Sequence, residues 1–123
     1  MDLIRIVFTQ NKMKDTITFD DFVKLDIRVG EVIKATKVEN STKLIRLLVD
    51  FGEDIGTRTI LAGLAKWYSP TDFENQKFQF IVNLEPKKMA GEESHGMTLA
   101  ADVDGLPKIV PAPNDLPNGT QIR

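Results

Sequence analysis

Apolar and polar residues alternate in several stretches of this chain, and strict alternation is the pattern of a half-buried β-strand. In the first stretch, Leu25, Ile27 and Val29 fall on one face of the strand. The alternation changes phase at Gly30, because the next apolar position falls to Val32. A glycine at a change of phase predicts a β-bulge or a bend in a long first strand.

The same pattern predicts four further strands. The second has Ile45, Leu47, Val49 and Phe51 on one face, and the fourth has Phe78, Phe80, Val82 and Leu84 on one face. The third strand spans 57–64 and the fifth spans 95–101. Ser69 followed by Pro70 predicts a short helix between the third and fourth strands, and Asp20 with Asp21 predicts a capped helical turn before the first. This order is that of an OB-fold, so we predict an all-β, five-stranded barrel.

The length of 123 residues indicates a single domain. We divide the chain into an N-terminal extension (1–15), an OB-fold barrel (16–103) and a C-terminal extension (104–123), and translation from Met13 is one hypothesis for the start. The C-terminal extension holds four of the six prolines, which disfavour long regular strand pairing. Its apolar residues are expected to pack on the barrel or on a partner chain, and we predict that it is a dimerisation element.

The composition narrows the class of protein. There is no cysteine, which excludes disulfides and cysteine-ligated zinc. No apolar run has the length of a membrane helix, and the apolar residues within 3–8 are too few for a signal peptide. We therefore expect a cytoplasmic protein that does not associate with a membrane.

The residues needed for catalysis or cofactor binding are sparse. His95 is the only histidine, and its neighbour Ser94 would point to the opposite face of a strand. There is no phosphate-binding loop and no dinucleotide fingerprint. We therefore predict neither an enzyme nor a bound cofactor or metal. Trp67 and Tyr68 offer a stacking surface, but capping of the barrel by one of them is the favoured interpretation.

Charge is distributed unevenly, although the net charge is only −2 and the pI is about 5.4. The stretch 33–49 carries a net charge of +3 and the stretch 76–91 carries +2, whereas acids cluster elsewhere. In the second stretch, Lys87 and Lys88 lie in a loop between two predicted strands, an arrangement suited to holding a polyanion at a barrel rim. The alternative is that both stretches are ordinary solvated surfaces.

Two segments together resemble the tRNA-binding domain appended to methionyl-tRNA synthetases. The first contains Asp26-Ile27-Arg28-Val29-Gly30, and the second runs from Asn83-Leu84-Glu85-Pro86-Lys87-Lys88 to Ser94-His95-Gly96-Met97. The same domain occurs in free-standing tRNA-binding proteins and in CsaA-like chaperones related to secretion. The resemblance covers about 16–123, and it implies an OB-type barrel that is usually a homodimer.

The resemblance also implies a groove that contacts tRNA, surrounded by seven residues of this chain: Arg28, Lys43, Asn83, Lys87, Lys88, Ser94 and Met97. Lysines would meet phosphates, while asparagine and serine would supply neutral hydrogen bonds. Arg28 has a structural alternative, pairing with Asp26 or Glu31, and Met97 has core packing as its alternative. Lys43 follows a loop that lacks the His-Pro start usual in the family, so this loop departs from the family pattern.

Three functions are compatible with these observations. The first is a tRNA-binding protein, either free-standing or the separate subunit of methionyl-tRNA synthetase, that recognises the folded shape of tRNA. The second is a CsaA-like chaperone that binds peptides on the same fold. The third is an interaction subunit that recruits a synthetase through its dimerisation tail. Few aromatic residues are free to stack on bases, which favours recognition of RNA shape.

Overall fold

Five antiparallel strands form a nearly closed barrel in the computed structural model, which describes residues 12–123. The strands are β1 (Ile27–Lys37), β2 (Ile45–Asp50), β3 (Thr57–Ala62), β4 (Lys77–Ile81), β5 (Lys87–Met89), β6 (Glu92–Ser94), β7 (Met97–Thr98), β8 (Ala100–Val103), β9 (Leu106–Ile109) and β10 (Gln121–Ile122). Neighbouring strands of the barrel follow the order β3-β2-β1-β4-β7. The all-β, OB-like prediction is therefore confirmed. The predicted N-terminal extension lies largely outside the described residues.

The two predicted helical segments are present and short. A four-residue helix, α1 (Phe19–Phe22), begins after Thr18, whose hydroxyl accepts a hydrogen bond from the Asp21 amide. A 3-10 helix (Pro70–Asp72) follows Ser69 and separates β3 from β4, as predicted. Within residues 12–123, no helix has the length and apolar character needed to span a membrane.

The barrel core is built from the alternating residues of β2 and β4. Phe51, Phe78 and Phe80 are fully buried, and Phe51 meets Phe80 edge to face. Tyr68 packs at one end of this core against Phe73, as expected for a cap. The core therefore accounts for most of the phenylalanines among residues 12–123.

The predicted role of Gly30 in a bulge is wrong. The register shift in β1 lies between Val32 and Lys34, so Ile33 is the extra residue. Gly30 is instead required by packing, because a Cβ at this position would lie 2.5 Å from Val49 Cγ1 and 2.6 Å from Phe51 Cε1. The sequence pattern therefore placed the bulge three residues too early in β1, while the bend that it offered as the alternative stays a prediction.

Three strand ends differ from the predictions. β3 ends at Ala62, because the carbonyl of Leu64 accepts from the amides of Trp67 and Tyr68 and begins a turn. β4 ends at Ile81, and Leu84 is half exposed rather than part of the buried face. The predicted fifth strand, 95–101, is divided between β7 and the start of β8. Gly96 interrupts it with φ of +153°, which favours glycine.

The C-terminal segment is attached to its own barrel. The Val29 amide donates to Thr120 O at 2.8 Å, and the Gly119 amide donates to Val29 O at 2.7 Å. Farther back, the Ala112 amide donates to Lys77 O. The hairpin of β8 and β9 pairs Val103 with Leu106 and so crosses the predicted boundary at residue 103. The three-part division of the chain remains a prediction.

Gly119 is part of the attachment of the C-terminal segment to the barrel, and substitution of Gly119 tests how much this attachment stabilises the fold. A Cβ at Gly119 would lie 2.2 Å from Phe51 O, and the residue has φ of +89°. Gly119→Ala should lower the free energy of unfolding in urea by at least about 2 kcal/mol, since strain and a backbone clash add. Gly105→Ala is the control, because Gly105 has φ of +83° but open space around the added Cβ. That variant should lose only about 1 kcal/mol. Equal losses would show that the Phe51 contact is unimportant.

Candidate RNA interface

The hairpin of β5 and β6, which carries two lysines and two glutamates, folds over the outer face of β2 and β3. Arg46 of β2 forms a two-pronged salt bridge with Glu92 of β6, with Nε and Oε1 2.7 Å apart. Met89 of the same hairpin packs against a small buried cluster, which consists of Val38, Leu44 and Leu61. The hairpin is thus fixed by both charge and apolar contact.

Ser94 completes this attachment. The residue is only 4% exposed, and its Oγ accepts from the Leu61 amide at 3.0 Å and donates to Gly96 O at 3.1 Å. The next amide, of His95, donates to Thr59 O. The hydroxyl therefore joins the hairpin to β3 through the Leu61 amide.

Asn83 and Arg28 also make intramolecular bonds. Asn83 Oδ1 accepts from the Asp26 amide at 2.8 Å, and its Nδ2 donates to Lys24 O at 2.6 Å. Arg28 donates to both carboxylate oxygens of Asp26 and to Gly119 O. The hydrogen bond that Arg28 donates to Asp26 raises the pKa of Arg28. Asn83 fixes the segment before β1, and Arg28 helps to hold the C-terminal segment.

An apolar groove lies between the end of β3 and the hairpin. Its volume is about 610 Å³. The residues that line it are Leu61, Ala62, Gly63, Leu64, Leu84, Glu85, Lys87, Met89, Ser94, Gly96, Met97, Thr98 and Ala100. Leu84 and Met97 are each 44% exposed, so their apolar surface faces the open groove.

The groove brings together three of the seven residues predicted from the sequence, namely Lys87, Ser94 and Met97. Lys88 is exposed on the hairpin beside Lys87, and the backbone carbonyl of Lys43 accepts from the Ala65 amide next to the groove. Arg28 and Asn83 are not among the lining residues. The positive charge of the stretch 33–49 is also smaller than its sequence suggests, because Glu92 pairs with Arg46 and neutralises it.

Sequence reasoning missed the apolar wall of the groove. Leu61 falls in the predicted third strand, for which no second buried face was expected, and it is buried in the cluster against which Met89 of the hairpin packs. The signal for this was the unbroken run Ile60-Leu61-Ala62, because consecutive apolar residues indicate a strand covered on both faces. Arg58 was also missed, and its Nη1 donates to Val82 O at 2.6 Å.

The sequence and the fold both match known proteins. Residues 27–121 match the model of the "Putative tRNA binding domain" family. The methionine–tRNA ligase of Methanothrix thermoacetophila is 44% identical over 112 residues, which cover 91% of this chain and 16% of that protein. The chain thus spans about a sixth of the length of such ligases.

Two solved structures are similar over their whole chains. The MetRS-related protein of Pyrococcus horikoshii has a TM-score of 0.85 and 40% identity, covering 89% of this chain and 100% of that one. The chaperone CsaA of Bacillus anthracis has a TM-score of 0.78 and 34% identity, with the same two coverages.

The salt bridge between Arg46 and Glu92 makes the attachment of the hairpin depend on pH. The hydrogen bond from Arg46 lowers the pKa of Glu92. The resulting stabilisation is complete above the pKa that Glu92 has in the unfolded chain, and it is lost as pH falls through the lowered pKa of the folded chain. Glu92→Gln should therefore melt at a lower temperature than the parent at pH 7.

The difference in melting temperature should shrink below the ordinary glutamate pKa of about 4.3. Glu53→Gln, in the exposed turn between β2 and β3, is the matched control and should melt like the parent at both pH values. If the Glu92→Gln difference is the same at neutral and acidic pH, the salt bridge is not its cause.

Proposed function

The chain belongs to the tRNA-binding domain family, and we propose that it binds folded tRNA through the hairpin of β5 and β6 and the apolar groove beside it. The observation that carries this proposal is the pair of exposed lysines, Lys87 and Lys88, on a hairpin fixed at several points. A fixed hairpin keeps two positive charges in place without help from the ligand, so less conformational entropy is lost on binding.

The seven residues named from the sequence divide into two roles in this proposal. Successive strand residues point to opposite faces, so Lys87 faces the groove while Lys88 extends from the other side of the hairpin. Both lysines would contact phosphates, Lys43 would add charge nearby, and Met97 would form part of the wall. Ser94, Asn83 and Arg28 would position these groups through their intramolecular bonds.

We propose that the chain contributes affinity for tRNA and no chemical step. Its similarity to methionine–tRNA ligases is confined to about a sixth of their length, so it supports a binding role more directly than a catalytic one. A methionyl-tRNA synthetase is the catalytic partner that this similarity suggests. The acidic overall charge is compatible with this role because local potential governs phosphate binding.

Peptide binding is the second candidate function. The likeness to the chaperone CsaA and the apolar lining of the groove both favour it. An extended peptide would bury apolar side chains between Leu84 and Met97. The two lysines on the hairpin are not explained by this alternative, so RNA remains our first proposal.

We also propose a homodimer formed through the hairpin of β8 and β9. Val103, Leu106 and Val110 are each about half exposed, and Val103 lies directly opposite Leu106 in this two-stranded sheet. Exposed apolar residues grouped on one face favour burial against an identical surface. The segment after Ala112 contributes less than the sequence indicated, since it is attached to its own barrel.

The lysine pair should determine how RNA binding responds to salt. Lys87→Ala combined with Lys88→Ala should weaken binding to every tRNA. Each lost phosphate contact reduces the slope of log K against log [salt] by about 0.9. For two contacts, the loss of affinity between 50 and 200 mM salt should be about tenfold smaller in the variant than in the parent.

Lys12→Ala combined with Lys14→Ala is the matched control, because it removes the same charge from exposed sites outside the groove. It should leave most of the affinity and the slope intact. Unchanged binding by the Lys87 and Lys88 variant, at an unchanged melting temperature, would refute the proposed interface.

The proposed dimer predicts a specific dependence of mass on two residues. Sedimentation at micromolar concentration should give about twice the 13.8 kDa mass of the chain. Leu106→Glu combined with Val110→Glu should give the monomer mass, because four carboxylates would face one another across the interface. Val23→Glu, at an equally exposed apolar site beside α1, should remain a dimer. A monomeric parent, or dissociation caused by Val23→Glu instead, would contradict the assignment.

A further inference from the structure

The groove combines an apolar interior with a cationic edge. Leu84, Met97 and Met89 provide apolar wall, and Lys87 lies on the hairpin side. The other nearby cations are Lys88, next along the hairpin, and Lys43, whose backbone is bonded to Ala65. A ligand that complements this surface has an apolar body and negative charges attached to it.

We propose that the groove accepts one unpaired nucleobase of the bound tRNA, while the phosphates on either side of that nucleotide contact Lys87 and Lys88. This inference rests on the proposed function and adds to it the element of the RNA that is bound. A base has two flat apolar faces and a polar edge, so it can bury its faces between side chains while its edge stays in water. Methionine side chains suit this task, because they are flexible and make favourable contacts between sulfur and aromatic rings.

The groove should accept the base without identifying it. Reading a base requires free hydrogen-bond donors and acceptors directed at its edge. The Ser94 hydroxyl lies in the groove wall, but it is already bonded to the Leu61 amide and to Gly96 O. The neighbouring wall residues Leu84 and Met97 are apolar. The expected outcome is a preference for unpaired nucleotides over duplex, with little preference among the four bases.

Charge favours a nucleotide over a peptide as the occupant. An apolar peptide segment needs only the groove walls, whereas a nucleotide also uses the lysines at the edge. Glu85 lies beside Lys87 in the lining, and Glu93 lies opposite Lys88 in the hairpin, while Glu92 is paired with Arg46. A phosphate would therefore meet the ammonium groups of Lys87 and Lys88 as individual point charges and not a surface of net positive charge.

Gly63 allows the groove to be filled without disturbing the barrel. It lines the groove, it does not have positive φ, and a Cβ added there would meet no atom within 4 Å. Gly63→Leu should therefore fold normally and occupy part of the groove. Gly63→Ala is the matched control, since it changes the backbone in the same way but fills little space.

The experiment compares two RNAs, a tRNA transcript and a blunt RNA duplex with the same number of phosphates and no unpaired nucleotide. The parent and Gly63→Ala should bind the tRNA about tenfold more tightly than the duplex, because one base would bury its apolar faces against the aliphatic side chains of the groove. Gly63→Leu should lose this preference and bind both RNAs as the parent binds the duplex. Its salt slope should not change, because both lysines remain.

A second variant tests the apolar character of the groove wall, whereas Gly63→Leu tests the volume of the groove. Met97→Gln keeps the length of a half-exposed side chain but makes it polar, and it should also reduce the preference for tRNA over duplex. Unchanged preference in both Gly63→Leu and Met97→Gln, while the parent still binds tRNA with salt dependence, would overturn the groove assignment alone. Failure of the parent to bind tRNA would refute the proposed function instead.

The same variants would give a different binding result if the groove binds peptides. If Gly63→Leu binds tRNA like the parent but no longer binds a reduced, unfolded protein that the parent binds, the groove is a peptide site and the nucleobase proposal is wrong.

Discussion

The attachment of the hairpin β5–β6 to the outer face of β3 is the constraint on which the candidate interface depends. It buries Leu61, engages the Leu61 amide through Ser94 and pairs Arg46 with Glu92. Each contact supports the others, because burial of Leu61 would leave its amide unsatisfied without the serine hydroxyl. The exposed lysines are therefore placed by contacts between groups of the protein and not by the ligand.

This arrangement explains why charges counted along the sequence are a poor guide to the surface. Arg46 belongs to the more basic of the two stretches, yet its charge is directed at Glu92 from a different part of the chain. Arg28 is likewise committed to Asp26. Lys87 and Lys88 have the smaller local excess of charge, but they are displayed on the rigid hairpin. Ion pairing between distant segments therefore decides which cations remain available to a ligand.

The sequence contained enough information for the barrel and less for the site. Alternation at Ile45, Leu47 and Val49 identified β2 correctly, because one face of that strand is the core. The turn at Ser69 and Pro70 was predictable from local chemistry alone. These features depend on near neighbours in the chain, which a one-dimensional pattern can report.

The groove could not be predicted in the same way. Gly30 is a glycine because Val49 and Phe51 approach it from another strand, and Ser94 is buried because Leu61 needs a partner. Leu84 continues the alternating pattern of β4 in the sequence, but the strand ends at Ile81 and Leu84 lies outside the sheet. In each case the deciding contact joins residues that are far apart in the sequence. The resemblance to a known family named seven candidate residues, and the fold shows that three of them line one groove whereas Arg28 and Asn83 are not part of its lining.

The pairing of β10 with the start of β1 has a consequence for how this domain can be combined with others. Ile27 lies opposite Ile122, so the chain enters and leaves the barrel on adjacent antiparallel strands, which are about 5 Å apart. A domain whose first and last strands are adjacent can be fused to either end of another protein, or inserted into one of its loops, without disruption of the barrel. The groove and the point of connection are separate parts of the domain, so the sequence of one can change without a change in the other.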